Sequence, residues 1–371
     1  MKITRLETLF VKPRWLFLKV HTDEGLVGLG EPIVEGRAQT VAAAVQEIGR
    51  YLIGQDPRRI EHHWQAIYRG QFYRGGPVLC SAISGIEQAL WDITGKWLGQ
   101  PVYQLLGGAV RDRVRVYGHF GGTTTEELAA SAKRAVAAGF NALKTGLVGP
   151  VQIVDVPAVI EETVSRFAAI REAVGPKVDV GIDFHGRSSP AMSVRLARAL
   201  EPYHPMFIEE PVLPENVDAL VTVARSTSIP IATGERLFTK WGFREVLEKQ
   251  AAVILQPDLS HAGGILECKK IAAMAECYYA AVAPHCPLGP ISLAACLQLD
   301  ACTPNFLVQE HVTLGEGYLR EPFRVVDGHI PLPTGPGLGI ELDEEAVAAK
   351  LYDGSWETPR LWHADGSVGD W

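Results

Sequence analysis

Residues 180–187, VGIDFHGR, set an aspartate and a histidine two positions apart at the end of a run that Val178, Val180 and Ile182 mark as a buried strand. Burying such groups without partners is costly, so their place at a strand end raises the possibility of chemistry. The arrangement recurs. Lys144, Glu209 with Glu210, Glu235, Asp258, His285 and Glu310 each close a short apolar run, and from Asp183 onward they follow one another at intervals of 23 to 27 residues, about one strand–helix unit. Taken singly, each acid would be a helix N-cap or a loop residue, Lys144 an ion-pair partner and each histidine a packed side chain. Six adjacent strand ends loaded in this way are not explained so easily.

Several carboxylates around one partly dry mouth repel one another unless protons or a cation intervene. Asp183, Glu209 and Glu235 offer an all-oxygen site for a hard divalent ion that keeps positions open for substrate, and Mg2+ is the expected ion, one per chain. Zinc would call for histidine or thiolate ligands, and the first strand, YGHFGG, has only His119 where a two-metal hydrolase carries an H-x-H pair. Of Glu209 and Glu210, alternation lets one face the mouth, and spacing does not choose between them. His285 and Asp258 end neighbouring strands, so the carboxylate can orient the ring and raise its basicity. His185 shares the strand face of Asp183 by the period-two rule. Two histidines flanking a metal-bound substrate supply one base and one acid.

These residues must be positioned by a repeating scaffold. The runs VRVYGHF, NALKTG, VDVGIDFH, MFIEEP, IPIATGE, AVILQPD, YAAVAPH and NFLVQEH are eight strands separated by helical stretches, some led by good N-caps such as Thr124 and Ser189. This predicts an α/β fold, a closed (β/α)8 barrel over residues 113–320 with the chemistry at the C-terminal strand ends. Before it, TRLETLFVK, WLFLKVHT and GLVGLGEPI read as a three-stranded meander followed by helices, an α+β capping domain over residues 1–112. The segment 321–371 supplies a further strand and helix that return to the capping domain. Its loops near Arg14–Trp15 and Tyr73–Gly76 are expected to reach the substrate.

The 371 residues exceed one ordinary core, and 47% hydrophobic with 21% charged residues is the composition of a folded enzyme. A net charge of −8 disfavours nucleic acid and anionic membrane as partners. No apolar run is long enough for a membrane span and the start lacks a secretory core, so a cytoplasmic location is expected. The six cysteines contain no C-x-x-C pair and read as reduced packing residues. GLVGLGEP is not a nucleotide loop, since its glycines break the G-x-G-x-x-G order.

The runs KTG, DFH, IEEP, GE, LQPDLSHAGGI, APHCPLGP and VQE, with YLIGQDP and FYRGGP earlier in the chain, resemble the mandelate racemase branch of the enolase superfamily. The resemblance is nearest to its sugar-acid dehydratases, with galactonate as the implied substrate. It implies Asp183, Glu209 and Glu235 as Mg2+ ligands, His285 as general base assisted by Asp258, and His185 as general acid. Glu310 would hydrogen-bond the developing ene-diolate, and Lys144 would act on the carboxylate. Racemases carry a second catalytic lysine where this chain has Gly146, which argues against two-way racemisation. The implied reaction is removal of water across C2–C3 of an aldonic acid, a hydro-lyase activity, in a homo-oligomer. The competing expectations are a dehydratase for gluconate or arabinonate, an epimerase or cycloisomerase of the same scaffold, and a non-catalytic barrel that binds sugar acids.

Overall fold

The computed structural model describes all 371 residues. Strands β1 (Ile3–Val11), β2 (Trp15–Thr22) and β3 (Val27–Gly30) form an antiparallel meander in that order, as the alternation predicts. The central strand buries Leu16, Phe17, Leu18 and Val20 completely. Helices α1 (Ala38–Leu52), α2 (Ile60–Arg69) and α3 (Pro77–Leu98) follow. Helix α3 lies along the free edge of β3, where its Asp92 and Gln88 accept the N–H groups of Leu29 and Glu31 at 2.9 Å each. An edge that would otherwise invite another strand is thereby satisfied by side chains.

This contact is backbone against backbone. A methyl group on Gly30 would lie 1.9 Å from the carbonyl oxygen of Gly85, and one on Gly28 would lie 2.1 Å from that of Ala89. The glycines of GLVGLG serve helix packing, not phosphate binding.

After the short α4 (Val102–Leu105) and β4 (Arg113–Arg115), the chain enters a repeating unit: β5 (Gly118–His119), α5 (Thr125–Ala137), β6 (Ala142–Gly146), α6 (Pro157–Val174), β7 (Asp179–Asp183), α7 (Pro190–Leu200) and β8 (Ile208–Glu209). It continues through α8 (Val217–Ala224), β9 (Ile231–Thr233), α9 (Thr239–Glu248), β10 (Ile254–Leu255), α10 (Ile265–Glu276), β11 (Ala281–Val282) and α11 (Pro290–Ala301). Strands β5 to β11 form one parallel sheet in sequence order. Thr124 caps α5 in a full capping box with Glu127, and Ser189 caps α7 through the Met192 N–H.

Seven regular strands stand where eight were expected. The eighth run makes single parallel bridges instead of a ladder, Phe306 to Val282 on one edge and Gln309 to Val116 on the other. Because this segment changes neighbour within a few residues it joins both edges of the sheet without pairing at length with either. The first expected strand is also divided. Arg113–Arg115 pairs antiparallel with β12 (His329–Pro331), and only Gly118–His119 joins the parallel sheet.

Inside the barrel, Tyr117, Ala142, Phe207, Ala232, Ile254, Ala283 and Val308 pack as one layer. The Phe207 ring takes the space beside Gly181, where a side chain would approach it to 2.7 Å. The chain after residue 320 divides its contacts. Strand β12 pairs with β4, whereas Leu351, beyond α12 (Glu344–Ala348), bridges Val11 and the Leu338 N–H reaches Asp92 of α3. A last hairpin, β13 (Leu361–Trp362) and β14 (Val368–Gly369), ends the described chain.

Gly30→Ala should therefore destabilise the fold by about 2 kcal/mol or more, the cost of overpacking a rigid contact. Gly25→Ala, at a site of positive φ with nothing within 4 Å, should cost only backbone strain of about 1 kcal/mol. Urea unfolding midpoints of the two variants measure the difference.

Candidate active site

A cavity of about 450 Å3 opens where the barrel strands end, between them and loops of the capping domain that carry Arg14, Val34 and Glu35. Asp183, Glu209 and Glu235 come from the ends of β7, β8 and the turn after β9. One oxygen of each lies within 4.8 Å of the others. The expected triad is thus brought together, and Glu209 is the member of its pair that faces the mouth. Glu210 has φ +40°, so the strand stops at Glu209 and the next side chain swings away to pair with Arg236.

His185 also leaves its strand. Strand β7 ends at Asp183, and His185 takes φ +52° in a turn closed by its own N–H donating to Asp183 Oδ1 at 2.8 Å. The expectation that His185 shares a strand face with Asp183 is therefore corrected: an Asx-type turn, not strand alternation, presents the ring. Its Nε2 nevertheless lies 3.2 Å from Asp183 Oδ2. His285 stands at the other end of the acid cluster, with Nε2 3.4 Å from Glu235 Oε2 and Nδ1 2.8 Å from Asp258 Oδ2. The bond from Nδ1 to Asp258 turns Nε2 toward Glu235, Glu310 and the cavity.

Lys144 lies behind the triad on β6. Its Nζ is 2.9 Å from Glu209 Oε2, 2.9 Å from Glu310 Oε1 and 3.4 Å from Asp183 Oδ2. Glu310 also accepts the Cys286 N–H at 3.0 Å. All the acidic, histidine and lysine residues expected at the strand ends thus lie around one cavity or in contact with those that do.

The charge balance shows what the site would accept. Burial and the neighbouring Asp183 push Glu209 well above the ordinary carboxylate range, against the pull of Lys144. Burial likewise raises Glu235 to about 8, even though His285 opposes the shift. For Glu310 burial is outweighed by Lys144, His285 and His119, which hold it well below the ordinary range. Burial disfavours the charged form of His285, but Glu235, Glu310 and Asp258 together raise it well above an ordinary histidine. Burial lowers His185. Glu209 Oε1 and Glu235 Oε2 are buried without a hydrogen-bond partner. Unpartnered buried oxygens and an all-oxygen donor set fit a hard divalent cation held by Asp183, Glu209 and Glu235.

Several residues of the cavity carried no clear sequence signal. Glu35 and Trp356 reach it from the capping side, Trp371 meets the His185 ring edge-on at 5.4 Å, and His119 lies 3.5 Å from Glu310. Of the expected capping contacts, Arg14 lines the cavity. Trp15 is buried against Phe17 and Tyr318, and Tyr73 borders a separate groove. His261, visible in LSHAGG, is the one such residue a motif could have flagged.

His311 follows Glu310, stacked on Phe140, with its Nε2 unpartnered. Burial, aided by His119, lowers it to about 4. A histidine depressed on folding lends stability that is whole above its unfolded value near 6.5 and drains as pH falls toward 4. Stability should drop by about 3 kcal/mol over that window on this account alone. In His311→Asn the slope of the urea midpoint against pH should flatten correspondingly.

Comparison with known proteins agrees with this geometry. Residues 7–107 match the N-terminal domain of mandelate racemase and muconate lactonizing enzyme, and residues 127–346 match the enolase C-terminal domain-like family. Curated relatives include D-galactonate dehydratases of Ralstonia nicotianae, 52% identical, and Variovorax paradoxus, 50% identical, each alignment covering all of both chains. A mandelate racemase/muconate lactonizing enzyme from Sulfitobacter superposes with TM-score 0.93 at 37% identity over 99% of this chain and 100% of that one. A related protein from Roseovarius gives 0.92 at 37% identity over 99% of each. With both domains matched, and relatives half identical along its whole length, the chain belongs to the mandelate racemase branch of the enolase superfamily.

Proposed function

We propose that the protein is a Mg2+-dependent sugar-acid dehydratase that removes water across C2–C3 of an aldonic acid, D-galactonate, to give a 2-keto-3-deoxy acid. The observation that carries this reading is the pair of imidazoles on opposite sides of one acid cluster, His285 beside Glu235 and His185 beside Asp183. The full-length likeness to D-galactonate dehydratases supports the choice of substrate.

Asp183, Glu209 and Glu235 would hold a divalent cation, which would supply Lewis-acid stabilisation of the negative charge that develops when C2 is deprotonated. His285 Nε2 takes the C2 proton, while Asp258 fixes the ring and compensates the positive charge it acquires. Base function requires a neutral ring, so the charge of Glu235 that now favours the imidazolium must be engaged elsewhere. His185 must carry a proton to act as the acid; burial lowers its hold on that proton and Asp183 opposes the shift, and the ring donates it to the C3 hydroxyl as it departs as water. The C–H electron pair becomes the C2–C3 double bond, and the enol tautomerises to the keto acid.

Lys144 places its ammonium at the substrate carboxylate. Glu310, held as a carboxylate by Lys144 and the Cys286 N–H, accepts hydrogen bonds and does not donate them. Its expected bond to the developing charge therefore acts through Lys144. Gly146 offers no side chain to act as a second lysine base, and the nearest side chain to that position is His185, whose Cε1 would lie 3.9 Å from an added methyl. This favours one-base elimination over two-base epimerisation.

With D-galactonate and Mg2+, semicarbazide should detect a 2-keto acid, and D2O should exchange the C2 hydrogen. His285→Asn should abolish the exchange and lower kcat by about 10³-fold. An epimer without keto acid, or full activity in His285→Asn, would overturn the assignment. Chelation should stop turnover and added Mg2+ restore it. Glu209→Gln should weaken Mg2+ binding by at least about tenfold in a calorimetric titration.

A further inference from the structure

The loop that follows Asp258 is held by the capping domain. Ser81, Ser84, Glu87 and Gln88 form a polar stripe along one face of the otherwise apolar helix α3, and each grips residues between Leu259 and Leu266. Gln88 Nε2 donates to Leu259 O at 3.0 Å and lies 3.2 Å from Ser260 Oγ. Ser84 Oγ accepts the Gly263 N–H at 2.9 Å, and Trp64 Nε1 donates to Gly263 O at 2.8 Å. Glu87 accepts the N–H groups of Ile265 and Leu266 at the start of α10 at 2.7 and 2.9 Å. Such a stripe is costly to bury unless every member is paired, and here each member is.

His261 completes the connection. The ring is buried, with Nδ1 3.0 Å from Ser81 Oγ. On its other side Nε2 is 3.6 Å from Asp258 Oδ2 and 3.6 Å from Glu35 Oε2. Asp258 Oδ2 is the same oxygen that accepts His285 Nδ1 at 2.8 Å, while Oδ1 accepts the Ser260 N–H at 2.7 Å. One carboxylate oxygen therefore faces two imidazoles, one on the proposed base and one tied to the capping domain.

We infer that His261 is a positioning residue, a second imidazole on Asp258 whose link to Ser81 and Glu35 fixes the carboxylate that aims His285. The inference rests on the reading of His285 as the base. Without His261 Nε2, Asp258 Oδ2 has a single partner and can follow the motion of the His285 ring. Outer partners of this kind commonly govern activity by tenfold or more without touching substrate.

Asparagine at 261 can reproduce the Nδ1 contact with Ser81, and glutamine can reproduce the Nε2 contact with Asp258 and Glu35. The test compares His261→Asn and His261→Gln by two readouts, with Mg2+ present. One is the downfield Nδ1–H proton resonance of His285, assigned by its loss in His285→Asn and observable without substrate. The other is kcat and KM for D-galactonate dehydration. In His261→Asn the resonance should shift or broaden and kcat fall about tenfold with KM little changed, and His261→Gln should restore both. An unaltered resonance and kcat in His261→Asn, or equal impairment in the two variants, would overturn the role. If the wild-type protein forms no keto acid, the dehydratase reading fails, while the resonance still reports on His261.

Discussion

Three carboxylates within 4.8 Å of one another are the constraint around which this molecule is arranged. Their mutual repulsion, in a mouth where burial already penalises charge, must be answered by a cation, by Lys144, or by protons. Each neighbouring feature can be read as part of that answer. Lys144 sits behind Glu209 and Glu310, His185 and His285 flank the cluster, and Glu210 is turned out of it into a pairing with Arg236. The positive φ of His185 and of Glu210 occurs at the two strand ends where a side chain had to be redirected.

The barrel supplies the positions and the capping domain secures the loops between them. Glu31, on the loop after β3, accepts the N–H groups of Gly289 and Ser292 at the start of α11, just after His285. Glu87 does the same at the start of α10, just after Asp258. Both glutamates come from outside the barrel. The two loops that carry the base and its orienting acid thus each end at a helix N-terminus capped from the other domain, where a glutamate side chain satisfies N–H groups that would otherwise be unpaired.

Much of this was legible in the sequence because a barrel is periodic. The recurrence of Asp183, Glu209, Glu235, Asp258, His285 and Glu310 at unit intervals located the site before any geometry was known. The meander was legible from alternation and the apolar strands from their runs. What spacing could not convey was local departure from regularity. Whether Glu209 or Glu210 faces inward depends on one backbone angle, and His185 is placed by an Asx turn that period-two reasoning misassigns to a strand face. The eighth strand was overestimated because its apolar run is continuous while its pairing changes partner. Glu35, Trp356 and Trp371 reach the cavity across long sequence separations, and no short pattern encodes that.

The polar stripe on α3 also limits how the enzyme can breathe. Seven hydrogen bonds, those of Ser81, Ser84, Gln88, Trp64 and Glu87, fasten the two domains directly beneath the cavity. At about 1 kcal/mol each, parting them together would consume most of a typical folding free energy. A hinged swing of the whole capping domain would have to give up all seven together, so local movement is the less costly route for ligand entry. The seam beside Asp258 thus stays joined while the exposed turn of Phe72 and Tyr73, next to Gly75 and Gly76 at positive φ, lies outside it at a separate groove.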